Sequence, residues 1–149
     1  LISSGKIHQA NEGCACTMNS ILKQFIKHLT VGENEVVLLD MEAGVEHFGR
    51  GVDNSVDLIL MIVDPSFESL KLTKKIQQLG DSIGKTVFFV LNKVNELVLP
   101  TMLESIDDQS KVLAVISTDT EIARKGLVGD ELMMEIPEIH MLARKILKQ

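Results

Sequence analysis

Apolar residues along this chain follow two rhythms. The first is continuous. Val36 to Met41, Leu58 to Val63, Thr86 to Leu91 and Val112 to Ile116 are apolar nearly throughout and rich in β-branched residues. Such runs predict strands buried on both faces, with Val36–Asp40 as the first. The second rhythm is helical. Thr17 to Thr30 places Met18, Ile21, Leu22, Phe25, Ile26 and Leu29 on one stripe. Ser66 to Ile83 does the same with Leu72, Ile76, Leu79 and Ile83, and Gly84 is a stop. Val98 to Ile106 reads as a short helix with Pro100 near its start, and Asp119 caps another that runs through Arg124. Pro137 to Lys148 predicts a terminal helix with Ile139, Leu142, Ala143, Ile146 and Leu147 inward. Strands alternating with amphipathic helices predict an α/β fold, a mostly parallel sheet flanked by helices. No repeat, low-complexity tract or linker marks a boundary, so a single domain is expected over residues 1–149.

Composition narrows the function. The chain has 149 residues, 45% of them hydrophobic and 24% charged, an ordinary globular balance. Five Phe and no Trp or Tyr leave an aliphatic core, with seven Met as adaptable filler. Few aromatics and a net charge of -6 argue against a nucleic-acid groove. The longest apolar run, Leu58 to Val63, is too short to cross a bilayer, and no signal peptide is visible. A cytoplasmic chain is therefore expected. It begins at Leu1 instead of Met, the expected look of a fragment, a processed product or an excised piece.

Three segments carry candidate chemistry. Asp40 ends a predicted buried strand, and Gly44 follows four residues later. Asp-x-x-x-Gly in that position is how a P-loop nucleotide-binding domain presents a carboxylate near magnesium and a glycine near a γ-phosphate. A solvated Asp followed by a turn is the plainer alternative. Gly44, Gly49 and Gly51 in so short a stretch favour a mobile switch. Asn92-Lys93 follows the third predicted strand, where an Asn can pair with the Watson–Crick edge of a purine. Guanine readers show Asn-Lys-x-Asp; here Asn95 stands in the fourth place, which favours adenine. A simple turn is the competing reading.

Cys14 and Cys16 are spaced by one residue and preceded by Gly13. Two thiolates cannot complete a tetrahedral site, and two copies of the motif, one per subunit, would supply four. Two buried thiols at a helix start are the alternative. His8, His28, His47 and His140 form no i, i+4 pair and read as structural or surface residues. No G-x-x-x-x-G-K-[ST] phosphate loop occurs in the sequence, and Ser4-Gly5-Lys6 only superficially resembles the tail of one.

With these residues in hand, the chain resembles the CooC-like nickel-insertion ATPases that mature carbon monoxide dehydrogenase, within the MinD/ParA class of P-loop ATPases. The specific part is Gly13-Cys14-Ala15-Cys16-Thr17-Met18-Asn19 together with Asp40 through Gly51; Asp64-Pro65-Ser66 and Asn92-Lys93-Val94 recur across the class. The resemblance implies that this is the carboxy-terminal portion of such a protein. It implies Asp40 as the acid linked to magnesium, Gly44 as the switch glycine near the γ-phosphate, and Asn92 as the adenine contact. It implies Cys14 and Cys16 as thiolates joining two subunits around nickel or zinc, in an ATP-favoured homodimer with carbon monoxide dehydrogenase as client. The chain departs from the pattern in lacking the phosphate loop and in carrying Ile116-Ser117 where the class commonly has Ile-Pro.

Two functions compete: an ATP-dependent metallochaperone, and a non-catalytic module that dimerises or docks without turning over nucleotide. Retention of Asp40, Gly44 and Asn92 favours the first for the parent protein; the missing loop favours the second for this chain taken literally. A phospho-acceptor receiver domain would need an acidic pair near its first strand, and none is present.

Overall fold

The computed structural model describes residues 16–33, 35–41, 45, 48 and 55–148. The chain divides into two compact units, Leu1–Asp57 and Leu58–Gln149.

In the first unit, α1 spans Cys16–His28. Lys27 and His28 sit in its last turn, where positive charge complements the helix dipole. The His28 ring also lies 2.8 Å from the Gln24 carbonyl oxygen through Nδ1. Of the predicted stripe, Ile26 is buried while Ile21 and Phe25 are exposed. A turn follows, closed by the Glu35 N–H donating to Gly32 O at 3.0 Å and the Gly32 N–H donating to Glu35 Oε2 at 2.9 Å.

The expected strand at Val36–Asp40 is not formed. Residues 35–41 lie outside any regular element, and Leu38 is 85% exposed. An apolar run reports a preference for burial; a strand also needs a neighbour offering its ladder of hydrogen bonds. Among the described residues the run has none.

The second unit is the predicted α/β layer. Strands β1 (Leu58–Val63), β2 (Thr86–Val94) and β3 (Val112–Ser117) form a parallel sheet in the order β1-β2-β3. Helix α2 (Phe67–Ser82) joins the first pair. Helix α3 (Leu99–Glu104) and a 3-10 turn (Gln109–Lys111) join the second. Helices α4 (Thr120–Val128) and α5 (Pro137–Ile146) complete the chain. The α4 helix runs past the expected Arg124, because Gly129 at φ 72° supplies the left-handed cap that ends it.

Burial follows the layers. Phe89, Val90 and Leu91 of β2 are all buried, as a central parallel strand requires. Val90, Leu113 and Leu142 form a cluster that Leu60, Phe88 and Ile146 cover, which seats α5 against β3. Ile139 and Leu147 are exposed, so α5 buries a narrower stripe than its sequence suggests. On α2, a Cβ at Gly80 would fall 2.4 Å from Val87 Cγ2, so the glycine lets the helix approach β2.

The β1–β2 register is regular, from Leu58 opposite Thr86 to Val63 opposite Leu91. The β2–β3 register is interrupted twice, between Phe89 and Val90 and again between Leu91 and Val94. The second interruption falls on Asn92 and Lys93.

Candidate functional site

The carboxyl ends of β1 and β2 lie side by side, and that edge of a parallel sheet is where α/β folds place ligands. Asp64 immediately follows β1. Its backbone N–H donates to Ser69 Oγ at 3.1 Å, which ties the strand end to the first turn of α2. Ser66 caps the same helix: its extended backbone turns the chain, and its hydroxyl accepts from the Ser69 N–H at 3.3 Å. Pro65, between them, offers no N–H to satisfy. The sequence Asp-Pro-Ser thus ends a strand, starts a helix and leaves the Asp64 carboxylate at the sheet edge.

Asn92 and Lys93 converge on that carboxylate from the neighbouring strand. Asn92 Nδ2 donates to Asp64 Oδ1 at 2.9 Å, and Lys93 Nζ donates to Oδ2 at 2.5 Å. The Asp64 and Lys93 side chains are 39% and 62% exposed, so the ion pair contributes no more than about 1 kcal/mol. Its weight is positional. Adjacent residues of a regular strand point to opposite faces, yet these two reach one carboxylate. The irregularity in β2 makes that possible, for Lys93 has a left-handed φ of 55°. A residue with a Cβ held there costs about 1–2 kcal/mol, and retained backbone strain of this kind concentrates at working sites.

The neighbouring residues lock the arrangement. Val94 pairs with Ser117, and the Thr118 N–H donates to Val94 O at 2.8 Å. The strand therefore extends three residues beyond the expected end at Leu91 and takes in Asn92 and Lys93. Asn95 is occupied locally: its Oδ1 accepts from the N–H groups of Leu97 and Val98 at 2.9 and 3.1 Å, setting up α3. At the third strand end, Asp119 Oδ1 accepts from the Glu121 and Ile122 N–H groups at 2.7 and 2.9 Å and caps α4.

The other expected site residues are placed as follows. Asp40 is exposed in the first unit, in the irregular segment after the apolar run, not at a strand end. Cys16 opens α1. Cys14 and Gly44 lie outside the described residues, as do Gly13, His8 and His47. His28 and His140 are exposed. Among the described residues no group of three or more His, Cys, Asp or Glu could hold a metal ion. None of their helices is long and apolar enough to cross a membrane.

Sequence reasoning placed Asn92 at a strand end but did not give it Asp64 as a partner. The signal was available. Two consecutive parallel strands ending in Asp and in Asn-Lys put those residues on adjacent ends of one sheet edge.

No family model matches the chain. An uncharacterized ATP-binding protein of Methanocaldococcus jannaschii is 47% identical over 139 residues, covering 93% of this chain and 55% of that protein. A second uncharacterized ATP-binding protein of the same organism is 32% identical over 138 residues, covering 91% and 54%. The carbon monoxide dehydrogenase accessory protein CooC of Rhodospirillum rubrum is 33% identical over 130 residues, covering 87% and 49%. The chain thus spans about half the length of the curated relatives it matches.

Proposed function

This chain is CooC-like and related to ATP-binding proteins, and from that premise we propose that it is the carboxy-terminal part of an ATP-dependent accessory protein for nickel insertion into carbon monoxide dehydrogenase. In this reading residues 1–149 belong to one cytoplasmic ATPase domain of the MinD/ParA kind. Asn92 contacts the adenine base, Asp40 supplies the carboxylate linked to magnesium, and Gly44 lies near the γ-phosphate. Cys14 and Cys16 hold nickel or zinc between two copies of the chain.

The observation that carries the reading is Asn92 itself. It sits at the ligand-binding edge of a parallel sheet with its amide held by a carboxylate. The Asn92 amide fits an adenine, since it offers a donor and an acceptor to a base edge that presents the complement. Asp40 fits a magnesium role in chemistry, being an exposed hard oxygen donor. Magnesium held there would supply positive charge against the phosphate oxygens. What the chain would contribute is orientation: Asn92 would hold the base, and the Asp40 carboxylate would hold the ion. The non-catalytic alternative is less favoured, because the relatives are ATP-binding proteins.

Calorimetry on the complete gene product tests this. Magnesium-dependent ATP binding with little GTP binding is expected, and Asp40→Ala is expected to abolish turnover. Turnover indifferent to that substitution overturns the assignment of Asp40. The chain of 149 residues by itself, carrying no phosphate-loop motif, is expected to bind ATP weakly or not at all.

A further inference from the structure

We infer that Asp64 is a specificity-determining positioning residue: it fixes which way the Asn92 amide faces, and so makes the base site select a 6-amino over a 6-oxo purine. The inference rests on the reading of Asn92 as the base contact and goes beyond it.

An ionised carboxylate only accepts hydrogen bonds. The Asn92 atom facing Asp64 Oδ1 at 2.9 Å must therefore be Nδ2. That bond uses one amide hydrogen. Among the described residues it is the only hydrogen bond of the Asn92 side chain, so the second Nδ2 hydrogen and Oδ1 remain for a ligand, in a fixed order. A free asparagine has no such order, since turning its amide over exchanges donor for acceptor.

The order matters because purines differ in it. The Watson–Crick edge of a 6-amino purine offers a donor at the 6-position and an acceptor at N1. A 6-oxo purine reverses both. An amide free to turn satisfies either base. An amide held by Asp64 satisfies only the first and sets its oxygen against the carbonyl oxygen of the second. Rejection then comes from an unmet, repulsive polar pair, a stronger discriminator than shape alone. Lys93 supports the device, since its ammonium on Oδ2 keeps the carboxylate in place.

The test compares Mg-ATP with Mg-ITP, nucleotides that differ only at the 6-position and the N1 proton it sets, by calorimetry on the complete gene product. Asp64→Ala is expected to lower the ATP/ITP affinity ratio about tenfold, with ITP binding tightening as ATP binding weakens. Asp64→Asn is expected to lose the preference too, because its amide can turn and either accept from Asn92 Nδ2 or donate to Asn92 Oδ1. In an Asn92→Ala background, Asp64→Ala is expected to leave the ratio where Asn92→Ala put it. A general structural role for Asp64 would weaken both nucleotides together and keep the ratio. Should Asp64→Ala not fold, Asp64→Ser serves in its place; its hydroxyl both donates and accepts, so it cannot dictate the amide and should lose the same preference. A ratio that falls with Asn92→Ala but is indifferent to Asp64→Ala or Asp64→Ser overturns the role of Asp64 and leaves the base contact standing. A ratio indifferent to Asn92→Ala overturns the base contact and the role of Asp64 with it.

Discussion

Lys93 carries a conformational load that its neighbours do not. Its φ of 55° suits glycine, yet a lysine holds it and uses its side chain on Asp64. Lys93→Gly relieves the strain but adds chain entropy to the unfolded state and loses an exposed ion pair, so stability should change by less than about 1 kcal/mol. A β-branched residue tolerates the region far worse. Lys93→Val should be less stable than Lys93→Gly by about 1–2 kcal/mol, read from urea unfolding midpoints. Equal midpoints would mean that the backbone relaxes out of the left-handed region. Asp108 gives a second test at this scale. Hydrogen bonds from the Ser110 hydroxyl and backbone N–H hold its carboxyl below the usual carboxylate range. Its contribution to stability is thus present above the ordinary carboxylate pKa and lost as pH falls through the lower, folded value. Ser110→Ala removes the larger of the two causes, so the Asp108 titration followed by NMR should move upward; an unmoved midpoint would refute that cause.

The elements were legible in the sequence to different depths. Three of the four apolar runs are strands, because each has a neighbour on the sheet. Val36–Asp40 has the same composition and no such neighbour among the described residues, and pairing is a property that composition does not encode. The end of β2 was hidden for a related reason. Asn92 and Lys93 read as a turn by type, but Val94 pairs with Ser117, more than twenty residues away, and that draws them into the strand. Helix starts were plainer, since Ser66, Asp119 and Pro137 act through local hydrogen bonds or fixed φ. The α2–β2 contact turns on Gly80. Gly80→Ala gains helix propensity of about 1 kcal/mol. It also drives a methyl to 2.4 Å from Val87 Cγ2 and 3.0 Å from the Lys85 carbonyl oxygen, which is backbone. Overpacking of about 1–3 kcal/mol should prevail and lower the melting temperature. In a Val87→Ala background the penalty should shrink, because the nearer clash is gone; equal penalties in both backgrounds would show that the contact is not the cause.

For the whole molecule, the proposed metal bridge makes association the readout. A single chain offers two cysteines, and a tetrahedral soft ion takes four ligands. Sedimentation with zinc or nickel should therefore give a dimer with one ion per two chains, lost in a Cys14→Ser/Cys16→Ser variant. Thiolates must shed protons to bind, so the dimer should weaken as pH falls. One ion per chain, or a dimer indifferent to chelation and to the double substitution, would rule out the bridge in this chain. The sequence displayed the thiols and their spacing, but a site shared between copies has no trace in one chain's hydrophobic pattern.

The two interruptions between β2 and β3 have an arithmetic that reaches beyond the site. From Phe89 opposite Val112 to Val90 opposite Ala114, β3 gains one residue; from Leu91 opposite Val115 to Val94 opposite Ser117, β2 gains one back. The strands slip out of phase and return to it, so both ends keep the same offset. Only the short stretch between is displaced, and the sequence that ends it carries Asn92 and Lys93. Deleting Lys93 alone would leave one residue on each strand between Leu91–Val115 and Val94–Ser117, a regular ladder with both pairs kept but without the detour that aims Asn92 and Lys93 at Asp64. Deleting Leu113 alone would make Phe89–Val112 and Val90–Ala114 consecutive pairs and leave the irregularity at Asn92 and Lys93 in place. Length changes here are therefore absorbed locally: each deletion removes its own irregularity and keeps the pairs on either side, and only the one at Lys93 forfeits the site.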